Sequence, residues 1–238
     1  MEQPLLDLWA AYRGQMVTKE LNKILERGIC YSEIKEAHRI LVTGMNPSSR
    51  KGDPACKEYV SRYDYQAVVK GGKDRYFTTF DKLFPAEFRR EVAYLDLLNI
   101  RKTNQQAVWK FCKDPQGLQL VANNLRITQL FIEQVVRPRL IMVKNRGSWC
   151  FWGKEATADA NIWMGYRFER VEGFEHLSCG ELLRITGLID HPDRVSHSAL
   201  QETNLRGTLV LFTNHFQYRS AALLPTPELL AELCKKMG

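Results

Sequence analysis

A chain of 238 residues, 45% hydrophobic and 26% charged, suits one large domain and is ordinary in composition for a globular protein. No run of about 18 apolar residues occurs, which excludes a membrane-spanning helix, and the start Met1-Glu2-Gln3-Pro4-Leu5 lacks the basic and apolar stretches of a secretory signal. A net charge of +7 suits a polyanionic partner where basic residues cluster, as they do at Lys70 to Arg75 and Arg137 to Arg146.

One domain over residues 1–238 is expected, opening with a helical segment at 1–38. There Leu5, Leu6, Trp9 and Tyr12, then Leu21, Ile24 and Leu25, recur at three-to-four spacing, punctuated by Gly14 and Gly28. Ile40 to Thr43 is a β-favouring apolar run that breaks at Gly44-Met45-Asn46-Pro47, predicting a buried strand at 40–44 that ends in a working loop. Residues 50–75 are polar, aromatic and glycine-containing and read as a long functional loop or broken helix. Thr78 to Phe84 predicts a short helix stopped near Pro85. Tyr94 to Leu98 predicts a second strand ending at Asn99, and 116–136 a helix stopped by Pro138. Leu140 to Val143 is a third strand, leading into Lys144-Asn145-Arg146-Gly147, and Trp149 to Trp152 a helix or turn. Tyr166 to Val171 predicts a peripheral strand and Gly180 to Leu188 a short helix. A fourth strand, Thr208 to Phe212, runs into Thr213-Asn214-His215-Phe216. The last helix opens at the capping Thr226, with Pro227 in its first turn.

Near-continuous apolar strands separated by helical stretches predict an α/β fold, three layers α/β/α around a central four-stranded, mostly parallel sheet. Ligands of such sheets bind beyond the carboxyl ends of the strands. Asn46, Asn99 and His215 each stand just past a strand end, so they are candidates for one site within a basic rim. An asparagine at 46 orients a water but cannot serve as a general base. Phe77, with Tyr63 and Tyr65, is a candidate for stacking on a planar base. Each residue also has a plainer reading: Asn46 as a turn or cap, Asn99 as an Asx-turn, His215 as a half-buried histidine, the aromatics as core. The six cysteines contain no Cys-x-x-Cys pair, and His176, His191 and His197 lack metal-ligand spacing, so no metal is expected and the thiols are expected to be reduced.

Gly44-Met45-Asn46-Pro47, Leu97-Leu98-Asn99 and the loop from Asn214 to Ser220 resemble, in that order, the motifs of the uracil-DNA glycosylase superfamily, in the Asn form of its mismatch-specific and single-strand-selective members. The resemblance implies a uracil-DNA glycosylase-like fold. It also implies hydrolysis of the N-glycosidic bond of a flipped, damaged or mismatched base in DNA, as in base excision repair, without a cofactor. Asn46 and His215 are then catalytic, Gly44, Met45, Pro47, Phe77 and Asn99 contact the base, and Tyr218, Arg219 and Ser220 contact DNA. The partner is DNA, duplex or single-stranded, and the protein is expected to be a cytoplasmic monomer. Two departures matter. Phe216 and Gln217 stand where the family has Pro-Ser, and Asn46 implies a slower hydrolase or none. The alternative is a non-catalytic nucleic-acid- or nucleotide-binding protein of the same fold. The chain has no nucleophile elbow, P-loop or dinucleotide fingerprint.

Overall fold

The computed structural model describes residues 1–49, 52, 59–102, 105–155, 162–213 and 223–237. In chain order its elements are α1 (Glu2–Ala11), α2 (Lys19–Leu25), β1 (Ile29–Ser32), β2 (Ile40–Gly44), β3 (Val60–Tyr63), α3 (Tyr65–Gly71), α4 (Arg75–Asp81) and β4 (Val92–Asp96). There follow α5 (Gln105–Phe111), α6 (Pro115–Phe131) with a π turn at Ile132–Val136, β5 (Leu140–Val143), α7 (Trp149–Trp152), β6 (Tyr166–Arg170), β7 (Gly180–Leu188), β8 (Leu209–Thr213) and α8 (Pro227–Lys236). No helix among the described residues is long and apolar enough to cross a membrane.

The fold is α/β. Its main sheet has six strands in the order β4-β2-β5-β8-β7-β6, and β1 with β3 makes a second, two-stranded parallel sheet. The four strands predicted from apolar runs are neighbours, and β4, β2, β5 and β8 run parallel. The sheet as a whole is mixed, because β7 pairs antiparallel with both β8 and β6. This corrects the expected four strands to six. It also corrects Gly180 to Leu188, read as a helix, to a nine-residue strand. Leu182, Leu183 and Ile185 imitate helical spacing, but hydrogen bonding on both edges decides for the strand.

Two further segments differ from expectation for the same non-local reason. The N-terminal stretch is helical through α2, but Ile29–Ser32 is a strand that pairs with Val60–Tyr63. The segment read as a long loop or broken helix contains the strand β3 as well as the short helix α3, and α4 starts at Arg75. Two aspartates start these helices: Asp64 accepts from the Ala67 N–H, and Asp74 from those of Tyr76 and Phe77.

Alternation along the strands divides the interior in two. Leu41, Leu95 and Ile141 face a core completed by Leu5 and Trp9 of α1, Leu120 and Leu125 of α6 and Trp152 of α7. Ile40, Val42, Tyr94 and Met142 face the other, with Tyr65 of α3, Phe80 of α4 and Leu230 and Leu233 of α8. Helices therefore cover both faces. The segment 189–205 is fastened to α6 and its π turn by buried polar groups. Glu133 accepts from Tyr166 Oη at 2.9 Å, Thr203 Oγ1 at 2.6 Å and the Asn204 N–H at 2.8 Å. Arg194 donates to the Ile189 and Leu200 carbonyls. Glu133→Ala leaves those three donors without their acceptor and is expected to cost on the order of 3 kcal/mol or more. Urea unfolding measures it, and a loss within about 0.5 kcal/mol, typical of a surface site, contradicts the anchoring role.

Candidate functional site

The parallel register sets the site. Gly44 stands opposite Asp96, and Thr43 opposite Val143, so Lys144 follows directly on the other side of Gly44. Ile40, Val42 and Gly44 share a face with Tyr94 and Asp96, and with Leu140, Met142 and Lys144. At the carboxyl edge of the sheet, therefore, a carboxylic acid and an amine flank a residue without a side chain. A Cβ at position 44 would lie 2.2 Å from both Asp96 Oδ1 and Tyr94 Oη. The space belongs to the acid and the phenol.

Asp96 is buried and accepts hydrogen bonds from Tyr94 Oη at 2.9 Å and Tyr63 Oη at 3.4 Å. Burial raises its pKa to about 6, although the two phenols and the Lys144 charge favour the ionised form. Burial likewise pulls the Lys144 amine well below the ordinary lysine value, against the attraction of Asp96 and Asp74. The amine rests on aromatic faces, 3.7 Å from the centroid of Tyr76 and 3.9 Å from that of Phe80. Phe77 stands edge-on to Tyr94 with centroids 4.8 Å apart, and Tyr63 lies 5.7 Å from Phe77. Tyr76 Oη and Tyr94 Oη are 3.3 Å apart and share a hydrogen bond. Desolvation raises the pKa of Tyr63, Tyr76 and Tyr94, so these phenols are neutral donors at physiological pH.

The loop after β2 is held by its own asparagine. Asn46 Nδ2 donates to the carbonyls of Pro47 at 3.1 Å, Ile100 at 3.3 Å and Lys102. Its Oδ1 is buried and has no partner among the described residues. Backbone bonds from Leu97 to Gly44, Leu98 to Met45 and Lys102 to Pro47 join this loop to the one after β4. The amide nitrogen thus fixes the loop, while the oxygen remains an acceptor.

Gly44, Met45, Asn46 and Pro47 therefore lie in one braced loop, and Phe77 lies in the aromatic cluster around Asp96. Asn99 is placed differently from the pocket position expected of it. Its amide is buried and donates to Asn124 Oδ1 at 3.3 Å and Thr128 Oγ1 at 3.4 Å, so it ties the end of β4 to α6. His215, Tyr218, Arg219 and Ser220 fall outside the described residues. In the expected basic rim, Arg101 is buried and Arg146 is exposed. A groove of about 380 Å³ between Lys82–Arg89 and the start of α8 shares none of these residues. Among the described residues no group of His, Cys, Asp and Glu could hold a metal ion.

Asp96 and Lys144 are the groups that the sequence reading passed over. The available signal was a charge at the end of a wholly buried strand: Asp96 between Leu95 and Leu97, and Lys144 straight after Leu140–Val143. Comparison with family models, curated proteins and solved structures finds no match for this chain.

Two outcomes test this geometry. Gly44→Ala is expected to destabilise by about 1–3 kcal/mol through overpacking, measured by chemical denaturation, and a neutral change contradicts the close approach. Asp96 holds its proton more tightly when folded than the ordinary carboxylate value near 4 allows. Its contribution is therefore full below about pH 4 and is lost as pH rises through about 6, a fall on the order of 3 kcal/mol. Denaturation midpoints of wild type and Asp96→Asn across pH 4–7 should differ in slope over that window. Parallel curves contradict the assignment.

Proposed function

We propose that the chain is a uracil-DNA glycosylase-like hydrolase that cleaves the N-glycosidic bond of a base turned out of DNA, with Asn46 holding the attacking water. One observation carries this reading: Asn46 spends its Nδ2 on three backbone carbonyls and keeps a buried Oδ1, without a partner among the described residues, at the carboxyl end of β2. An amide oxygen in a loop fixed by its own nitrogen is a preorganised acceptor for a water. The order of the motifs, Gly44-Met45-Asn46-Pro47 after β2 and the His215 segment after β8, supports it, as do the parallel neighbours β4, β2, β5 and β8. So do Tyr63 and Phe77, aromatic rings in contact with each other beside the edge and of the kind that stacks on a flat base.

The chemistry asks little covalent work of the protein. The sugar gains oxocarbenium character while the departing base gains negative charge. A water placed by Asn46 adds to the sugar, and a donor such as His215 meets the charge on the base. The convergence of three carbonyls on Nδ2 also explains why residue 46 is not aspartate, since a carboxylate oxygen there would face three acceptors.

A second reading, a binding protein without turnover, is favoured by Phe216-Gln217 in the place of the family's Pro-Ser. Base release from oligonucleotides carrying uracil, mismatched thymine, hypoxanthine or an oxidised base separates the two. Wild type is expected to release at least one of these bases. Asn46→Ala is expected to abolish release with DNA affinity nearly unchanged, and His215→Ala to slow it roughly 10²–10³-fold. Salt-sensitive binding without release from any of them replaces the enzyme reading with the binding one.

A further inference from the structure

The Lys144 amine has no part in the chemistry above, yet its surroundings are those of a nucleophile. It directly follows β5 at the same edge as the Asn46 loop, and its Nζ lies 3.7 Å from the ring centroid of the half-buried Tyr76. Surface lysines are hydrated and protonated. This one sits on two aromatic faces, and burial favours the neutral, nucleophilic form of the amine. Across the gap at Gly44 stands Asp96, an acid whose pKa near 6 lets it give and take a proton close to neutrality. An uncharged amine beside such an acid suits attack on a carbonyl carbon. The proposed hydrolysis itself supplies one, because the freed C1′ of deoxyribose is a hemiacetal in equilibrium with an open-chain aldehyde.

We propose that Lys144 forms an imine with the aldehyde of an abasic deoxyribose, with Asp96 as the proton-transfer group, and that the site thereby opens the sugar–phosphate chain. For its substrate class the proposal rests on the glycosylase reading. The Lys144 Nζ lone pair bonds to C1′ and, with transfer of one N–H proton to the former carbonyl oxygen, gives a neutral carbinolamine. Protonated Asp96 then donates to the C1′ hydroxyl, which leaves as water, and a protonated imine and an Asp96 carboxylate remain. That carboxylate takes a proton from C2′, and the C3′–O3′ bond breaks with its electron pair going to the phosphate oxygen. One water then hydrolyses the imine, restoring the lysine and releasing the unsaturated aldehyde on the upstream strand.

The test supplies the abasic site ready-made. The full chain is incubated with an oligonucleotide containing a preformed abasic site in the presence of sodium borohydride, which delivers hydride to an imine carbon and fixes it as a secondary amine. Proteolysis and mass spectrometry then locate the link on the wild-type protein, so no variant has to fold for the result to count. A single predominant adduct on Lys144 is expected, and Lys144→Arg, whose guanidinium is a far poorer nucleophile, should lower it at least about tenfold. Adducts confined to the Met1 amine or to surface lysines, or none at all, overturn the proposal. Base release from a uracil-containing strand is scored separately. Release without a Lys144 adduct defeats the imine alone, and a Lys144 adduct without release of any base defeats the glycosylase reading alone.

Discussion

The bare Cα of Gly44 is the constraint on which the carboxyl edge depends. Because β2 lies in parallel register between β4 and β5, whatever side chain stood at position 44 would separate Asp96 from Lys144. With none there, the carboxyl and the Tyr94 hydroxyl occupy the space a Cβ would take. Burying an acid and an amine is expensive, and both groups respond by shifting toward their neutral forms. The phenols of Tyr63 and Tyr94 satisfy the carboxyl, while the faces of Tyr76 and Phe80 hold the amine. The result is a protonatable acid and a desolvated base within an aromatic wall.

Around this pair, the loops are fixed by side chains that sequence reading had assigned to ligands. Asn46 uses its nitrogen to hold residues 100–102, and Asn99 and Asn124 lock the turn after β4 onto α6. This division of labour suits a site that must keep its geometry while a substrate enters, since rigid neighbours set the position of Asn46 Oδ1, an acceptor with no partner among the described residues. It also separates two asparagines that look alike in sequence: one keeps a buried oxygen with no partner among the described residues, while the backbone N–H and amide nitrogen of the other donate to α6.

What was legible in the sequence follows from distance along the chain. Ile40–Thr43, Tyr94–Leu98, Leu140–Val143 and Thr208–Phe212 read as strands because a parallel strand covered on both faces is apolar without interruption, a local property. The strand at Gly180–Leu188 and the pairing of Ile29–Ser32 with Val60–Tyr63 depend on remote partners, and local spacing pointed elsewhere. In the site, the glycine, asparagine and proline after β2 announced a loop by their own backbone chemistry. Asp96 and Lys144 did not stand out, because their meaning comes from Tyr63, Tyr76, Phe80 and Gly44, which only the register of three strands and the seating of α4 bring beside them.

The central claim, a carboxylic acid kept partly protonated by burial opposite a desolvated amine, is tested most directly by following the Asp96 carboxyl carbon by NMR as pH is varied. A resonance that titrates with a midpoint of about 6 is the result this structure requires. A midpoint near the ordinary aspartate value of about 4 would show that burial does not hold the proton on Asp96, and the account of a partly protonated acid opposite a desolvated amine would have to be abandoned.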